Sequence, residues 1–449
     1  MNRERETLIA KTKAAGVVGA GGAGFPTHVK LNARVDTVIV NGAECEPLLA
    51  VDVQLMEREA DTLAEALEDV VEALGAEAGV IAIKGKHTAA VEKLEAALAG
   101  KGKLRLKLLK DYYPAGDEQN LVYDVTAKTV PEGGIPLAVG AVVLNVETLL
   151  NVAAALDGQP VTTTYVTVAG AVREPVTLAV PVGTPMAALL DLAGGPLPGS
   201  FRVIEGGPMT GELVPPEAVE SGMAVCKKTT TGLIILPADH WLIQQADVSL
   251  GAILQRAQSA CCQCRLCTDL CPRYLLGHDI FPHLVLNAVN HGHAANTAAI
   301  TQAYLCCDCG VCDLFACPVE LSPRRMFRAL KEELGNRGLQ NSHRREAAVR
   351  DGDAGRHIPV GHLIARLGLE EYYVPAPWSD VQFSPRQVRV PLKQHIGVPA
   401  EPLVQPGDRV ETGQLIAVPP SDKLGAAVHA SIPGRVREVT ETAVVIAGE

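Results

Sequence analysis

The chain has 449 residues, 47% of them apolar and 20% charged, which is room for about three domains and enough apolar matter to give each a core. A net charge of −11 with no basic block excludes an ordinary nucleic-acid binder, and aromatics at 4% leave few platforms for stacking single-stranded bases.

The opening "MNRERETLIAKTKAAG" is charged and then helical. It has no apolar core segment or cleavage site, so a cytoplasmic protein without a secretory signal is expected. Next comes "GAGGAGFPTHVK" (19–30), in which Gly19, Gly21 and Gly24 satisfy G-x-G-x-x-G and Glu44 and Glu46 follow about twenty residues later. A dinucleotide fingerprint needs a strand before the glycines and a helix running through them. Here the preceding residues have helical periodicity, and Pro26 falls inside the required helix, at a cost of about 3 kcal/mol. The loop is therefore glycine-rich without being that turn, although its N–H groups can still form a nest for a phosphate. The most apolar stretch, "GGIPLAVGAVVLNVETLL" (133–150), carries Asn145 and Glu147 near its centre, which argues against a membrane span.

Residues 160–240 alternate strand-like runs, "TYVTVAGAV" and "TLAVPVGTP", with a helical "MAALLDLAGG". Ten of the twelve cysteines then crowd between Cys261 and Cys317, a clustering that points to metal rather than to a disulfide framework. "CCQCRLCTDLCP" places Cys261, Cys264, Cys267 and Cys271 in C-x2-C-x2-C-x3-C-P, the run that holds a [4Fe–4S] cluster. "CCDCGVCDLFACP" repeats it with Cys306, Cys309, Cys312 and Cys317, but its last interval is four residues, one more than the usual three. A turn can absorb the extra residue. Crossed wiring is expected: Cys261, Cys264 and Cys267 with Cys317, and Cys306, Cys309 and Cys312 with Cys271. Cys262 and Cys307 are expected to be buried spectators. A triple C-x2-C-x2-C suits a lone tetrahedral zinc poorly.

Beyond the clusters, "LSPRRMFRALKEELGNRG" reads as an amphipathic helix and the charged stretch 340–356 as a linker, its arginines on a solvated face. "HGH" (291–293) reads as a helix end around Gly292. The tail is rich in β, Pro and Gly, and His395 and His429 read as buried structural histidines.

Four motifs in order, "GAGGAGFPTHVK", "VNGAECEP" (40–47), "YPAGDEQNL" (113–121) and "NVETLLNV" (145–152), resemble the flavin-binding subunit of respiratory complex I and its relatives. The resemblance implies a multidomain α/β and β architecture. Its parts are a Rossmann-like FMN/NADH domain (1–157), a β-grasp soluble-ligand-binding module (158–245) and a helical ferredoxin-like domain with two [4Fe–4S] clusters (246–338). A linker (339–375) and a C-terminal barrel-sandwich module (376–449) follow. The β-grasp module is expected to be a structural adaptor. By the same resemblance Gly21, Gly22, Gly24, Lys30, Asn41, Glu44, Asn145 and Thr148 would contact FMN, and Glu46 and Glu118 would stand as catalytic carboxylates on the nicotinamide side.

Two departures stand out: Ala43 where these relatives usually have aspartate, and "YPAGDEQNL" in place of "YICGEETAL". The module order looks most like the cobalamin reductases of propanediol-utilisation microcompartments. Those would imply NADH as electron donor, cobalamin as acceptor, and an adenosyltransferase or shell protein as partner. The alternative is an Rnf-type subunit exchanging electrons with ferredoxin.

Overall fold

A computed structural model describes residues 3–197, 199–292 and 297–448. The helix Arg3–Ala14 leads into the glycine loop, which is closed by a bridge between Val18 and Pro26 and followed by the short helix Thr27–Lys30. No strand precedes the glycines, as the sequence requires. Four parallel strands follow: β1 (Thr37–Gly42), β2 (Ala78–Lys84) and β3 (Leu104–Leu109), then, after the two-residue β4 (Tyr112–Tyr113), β5 (Ala141–Asn145). Their order in the sheet is β3-β2-β1-β5. Both faces are covered by helices, and β1 and β2 accordingly read as near-continuous apolar runs. The helix Ala60–Leu74 shows how the sequence makes this layer. Leu63, Leu67, Val70, Val71 and Leu74 recur at helical spacing and are buried, and Gly75 ends the helix at φ +66°.

In this topology the chain turns back between β1 and β5, and a ligand crevice opens beyond the carboxyl ends of strands at such a switch point. Asn41, next to the last residue of β1, and Asn145, the last of β5, lie opposite one another in register.

The β-grasp module is a sheet of β6 (Thr163–Gly170), β7 (Val176–Pro181), β8 (Phe201–Glu205), β9 (Glu212–Val214) and β10 (Gly232–Pro237), with the helix Met186–Leu192 packed on it. Two segments of the expected linker and tail are not where sequence reading put them. Residues 340–350 form an ordered strap: Arg345 pairs with Glu132 at 3.0 Å and with Asp279 at 2.9 Å, and Arg350 also pairs with Asp279 at 2.9 Å. Arg345 thereby neutralises the buried Glu132, and both arginines are held in ion pairs although Arg345 stays half-exposed. Then β11 (Ile358–Pro359) pairs with β4, and β12 (Trp378–Ser379) extends the β-grasp sheet beside β7. The barrel sandwich proper therefore starts at β13 (Gln387–Pro391). It continues with β14 (Glu401–Pro402), β15 (Arg409–Val410), β16 (Leu415–Val418), β17 (Val428–His429), β18 (Gly434–Val439) and β19 (Ala443–Gly448), around a core of Val388, Val390, Val410, Ile416, Val436, Val444 and Ile446.

The cysteine-bearing domain is helical, and its last long helix, Pro323–Asn336, buries Met326, Phe327 and Leu334. The helix Pro282–Asn290 ends at His291 with Gly292 at φ +64°; His293 lies outside the described residues. Among the described residues no helix is long and apolar enough to cross a membrane.

Candidate functional site

The four sequence motifs converge at the crevice. The first meets the third where Lys30 pairs with Glu118 at 2.9 Å, and Lys30 also donates to the carbonyl of Val143 at 3.2 Å. The second meets the third at Gly116, whose carbonyl accepts from Asn41 Nδ2 at 2.9 Å and whose N–H donates to Cys45 Sγ at 2.7 Å. The fourth holds the first: Thr148 Oγ1 accepts from the N–H of Ala20 at 2.9 Å, and Asn145 Oδ1 caps the following helix by accepting from the Thr148 N–H at 3.4 Å. The Asn145 amide in turn donates to both oxygens of Asp52, at 2.9 and 2.8 Å.

Glu44 stands at φ +37°, a conformation that costs an L-residue of order 1–3 kcal/mol and is held only by surrounding structure. Its carboxylate receives the N–H groups of Asp52 (2.6 Å) and Val53 (3.2 Å), capping the helix Val51–Arg58. Burial, then mutual repulsion, pushes Glu44 above the usual carboxylate range; Asp52 is raised too, by burial.

These residues line two cavities that meet at Gly21, Gly22, Ala23, Asn41, Gly116 and Asn145. The first, of about 520 Å³, runs between the glycine loop and the end of β5 and holds Gly24, Lys30, Glu118 and Thr148. It accepts a flavin well. Nothing lies within 4 Å of where a side chain at Gly22 would begin, so the backbone is open to a ligand, while a Cβ at Gly21 would come 2.7 Å from Asn145 Nδ2. The second cavity, of about 760 Å³, holds Glu44, Cys45, Glu46 and Tyr113.

The far wall of the second cavity is one that sequence reading missed. The β-grasp module, expected to be an adaptor, contributes Glu205, Gly207, Thr210, Lys227, Thr229 and Thr231. Glu46 is tied to that wall, accepting from the Met209 N–H at 2.8 Å and the Thr210 hydroxyl at 2.6 Å. The glycine-rich "EGGPMTG" (205–211) and the polar "KKTTT" (227–231) were the available signals.

The third wall comes from Cys307, Asp308 and Cys309. Tyr113 reaches it, donating to the Cys309 carbonyl at 2.6 Å, and Asp117 pairs with Arg273, whose Nη2 lies 3.0 Å from Asp117 Oδ2. Asp117 also caps the helix Glu118–Thr126.

The eight run cysteines fall into two rings. Cys261, Cys264, Cys267 and Cys317 line one small cavity; Cys271, Cys306, Cys309 and Cys312 line another. Each ring takes three thiols from one run and the last from the other, the crossed arrangement. Both runs turn alike: Gln263 and Arg265 in one, Asp308 and Gly310 in the other, are left-handed at matching positions. The extra residue of the second run is absorbed by a π-helical turn, Val311–Phe315, which widens the helix by one residue without displacing Cys317. Among the described residues no three His, Cys, Asp or Glu side chains converge on a single-ion site. Backbone and side-chain N–H groups already point at the thiols, Asp308 to Cys306 at 3.4 Å, Leu321 to Cys317 at 3.3 Å and Gln263 Nε2 to Cys261 at 3.3 Å, contacts of the kind that tune cluster potentials. Neither of the two cysteines expected to be buried spectators is fully buried. Cys262 is exposed together with Cys264, because this ring sits at the surface, and Cys307 is half-buried on the wall of the second cavity.

A flavin crevice, a nucleotide-sized cavity and two thiol rings in one chain define a flavin and iron–sulfur electron-transfer protein. Residues 12–154 match the Nuo51 FMN-binding domain, 165–213 the SLBB domain, 260–322 the 4Fe-4S dicluster domain and 380–449 the RnfC barrel sandwich hybrid domain. FMN and iron–sulfur clusters are the cofactors these domains imply. The chain is 45% identical to cobalamin reductase PduS of Citrobacter freundii over 99% of its length and 97% of that protein's. It is 42% identical, with the same coverage, to cobalamin reductase PduS of Salmonella typhimurium. It is also 34% identical over 58% of its length to one subunit of the Na(+)-translocating ferredoxin:NAD(+) oxidoreductase complex of Acetobacterium woodii, covering 56% of that subunit. The chain belongs to the PduS cobalamin reductase family.

Proposed function

We propose that the chain is an NADH-dependent cobalamin reductase that moves electrons from NADH to a corrinoid, with FMN and two [4Fe–4S] clusters as resident cofactors. FMN supplies exchange between a two-electron donor and one-electron carriers, and the clusters supply one-electron transfer. Gly21, Gly22 and Gly24 line the flavin, Gly22 with its backbone open to it, Asn41, Asn145 and Thr148 fix the loop and strand ends around it, and Lys30 offers a cation whose charge Glu118 balances. Glu44 holds the second motif in its strained turn. Glu46 and Glu118 stand on the nicotinamide side, Glu46 acting by fixing the β-grasp wall.

Cys261, Cys264, Cys267 and Cys317 would hold the cluster of the exposed ring, and Cys271, Cys306, Cys309 and Cys312 that of the ring beside the nucleotide cavity. The observation that carries this reading is that single cavity, walled by the flavin loop on one side and by Cys307–Cys309 on the other. On the same reading the protein works in the cytoplasm, inside a propanediol-type microcompartment. There it would hand reduced corrinoid to an adenosyltransferase and contact a shell protein.

The test is anaerobic stopped-flow spectroscopy of reconstituted protein with NADH, followed by cob(III)alamin. Bleaching of flavin and cluster absorbance and then corrinoid reduction are expected. Reduction by NADH without corrinoid turnover would move the acceptor to a protein such as ferredoxin. No reduction by NADH would overturn the donor, with Ala43 the first position to restore to aspartate.

A further inference from the structure

The glycine loop that walls the flavin crevice is held from behind by residues roughly two hundred to four hundred positions away. Lys228 of the β-grasp module is buried, and its ammonium donates to the carbonyl of Gly16 at 2.8 Å and to that of Ala427, in the barrel sandwich, at 2.9 Å. Its own N–H donates to Gln394 Oε1 at 2.9 Å, and Gln394 is anchored through Nε2 to the Pro391 carbonyl at 2.9 Å. No carboxylate among the described residues pairs with this ammonium, so the lysine serves as a tie between carbonyls rather than as half of an ion pair.

The loop is fitted to the barrel sandwich at both ends. Gly16 is left-handed at φ +68°, and a Cβ there would lie 2.2 Å from the Ala427 oxygen and 2.8 Å from Lys228 Nζ. Gly24 is left-handed at φ +70°, and a Cβ there would lie 2.8 Å from the Gln394 oxygen and 2.9 Å from His395 Cα. The Ile396 N–H then donates to the Gly24 carbonyl at 3.2 Å. Between these two clamped glycines lie Gly21, packed against Asn145, and Gly22, whose backbone is open to the crevice.

We propose that the barrel-sandwich module is a clamp that holds the flavin loop in its binding conformation, with Lys228 and Gln394 as the positioning residues. The module thereby pre-organises a loop whose freedom would otherwise weaken binding. The inference rests on the placement of FMN proposed above.

It is tested on cluster-loaded holoprotein by equilibrium dialysis, with released FMN read by its fluorescence. Neither Lys228 nor Gln394 lines the flavin cavity, so Lys228→Met and Gln394→Ala probe the clamp alone. Gly75→Ala, at a left-handed helix end with open space around it, is the control for general destabilisation. Both clamp variants are expected to raise the FMN dissociation constant about tenfold or more, with iron content and cluster absorbance unchanged and with Gly75→Ala near wild type. If Lys228→Met does not fold, Gln394→Ala decides. Dissociation constants within about twofold of wild type, or an equal rise in Gly75→Ala, overturn the clamp while wild-type binding leaves the flavin site standing. Failure of the wild type to bind FMN overturns both.

Discussion

Lys228 makes a pH-dependent prediction whose sign follows from its surroundings. Burial without a compensating anion pushes its ammonium down from the ordinary 10.5 to about 7. Between those two values the unfolded chain carries a proton at this position that the folded chain has released. Stability therefore rises with pH across that window, by about 1.4 kcal/mol per pH unit and about 5 kcal/mol in all, and is flat with respect to this group above and below it. The neighbouring imidazoles do not confuse the reading. Burial pushes His429 down to about 4 and His395 down as well, so both are neutral throughout the window. Buried carboxyls such as Glu44 drift in the opposite direction, but they do so equally in a variant. Urea unfolding followed by tryptophan emission, in wild type and Lys228→Met from pH 7 to 10, isolates the effect. The stability difference is expected to shift in favour of the wild type by about 1 kcal/mol for each pH unit. A difference that stays constant, or moves the other way, refutes the account of Lys228 as an unpaired buried cation.

Cys264→Ser should remove the cluster of the exposed ring alone: about half of the iron is lost, NADH still bleaches the flavin, and cobalamin reduction falls about tenfold or more, as counted by iron assay and stopped flow. Full cobalamin turnover in that variant would mean that electrons leave by another face. Asp117→Ala strands Arg273, a side chain 9% exposed beside a partner 11% exposed, and should cost about 3–5 kcal/mol in urea unfolding. Adding Arg273→Met should restore most of the loss; equal costs for the single and double variants would show that the charge pair is not the source. Asn145→Ala frees Asp52 and uncaps the following helix, so FMN affinity should drop about tenfold or more in the same dialysis assay, whereas unchanged affinity would remove Asn145 from the site.

Local features were legible in the sequence because local chemistry dictates them. Pro26 and the helical run before Gly19 told against a dinucleotide turn, and the structure has no strand there. Cysteine spacing carried enough geometry to sort eight thiols into two crossed rings. What escaped was contact across long separations. Nothing in "HRR" says that Arg345 will meet Glu132, and nothing in "PWSD" says that Trp378 and Ser379 will join a sheet begun two hundred residues earlier. The β-grasp wall escaped for a different reason. A module seen elsewhere as an adaptor offers no periodicity that marks one edge as a cavity lining, and Lys227, Thr229 and Thr231 look like any polar turn. Cys262 misled because a cysteine is so often buried, and only the surface position of its ring places it outside.

The clasp between Gly24 and Ile396 also sets a timetable. During synthesis the backbone that will seat the glycines leaves the ribosome roughly 370 residues after they do. At about 5–20 residues per second that is a delay of roughly 20–75 seconds. Until then the flavin domain has its strands but lacks the backbone that clasps its loop, so tight cofactor binding waits for the barrel sandwich to be made.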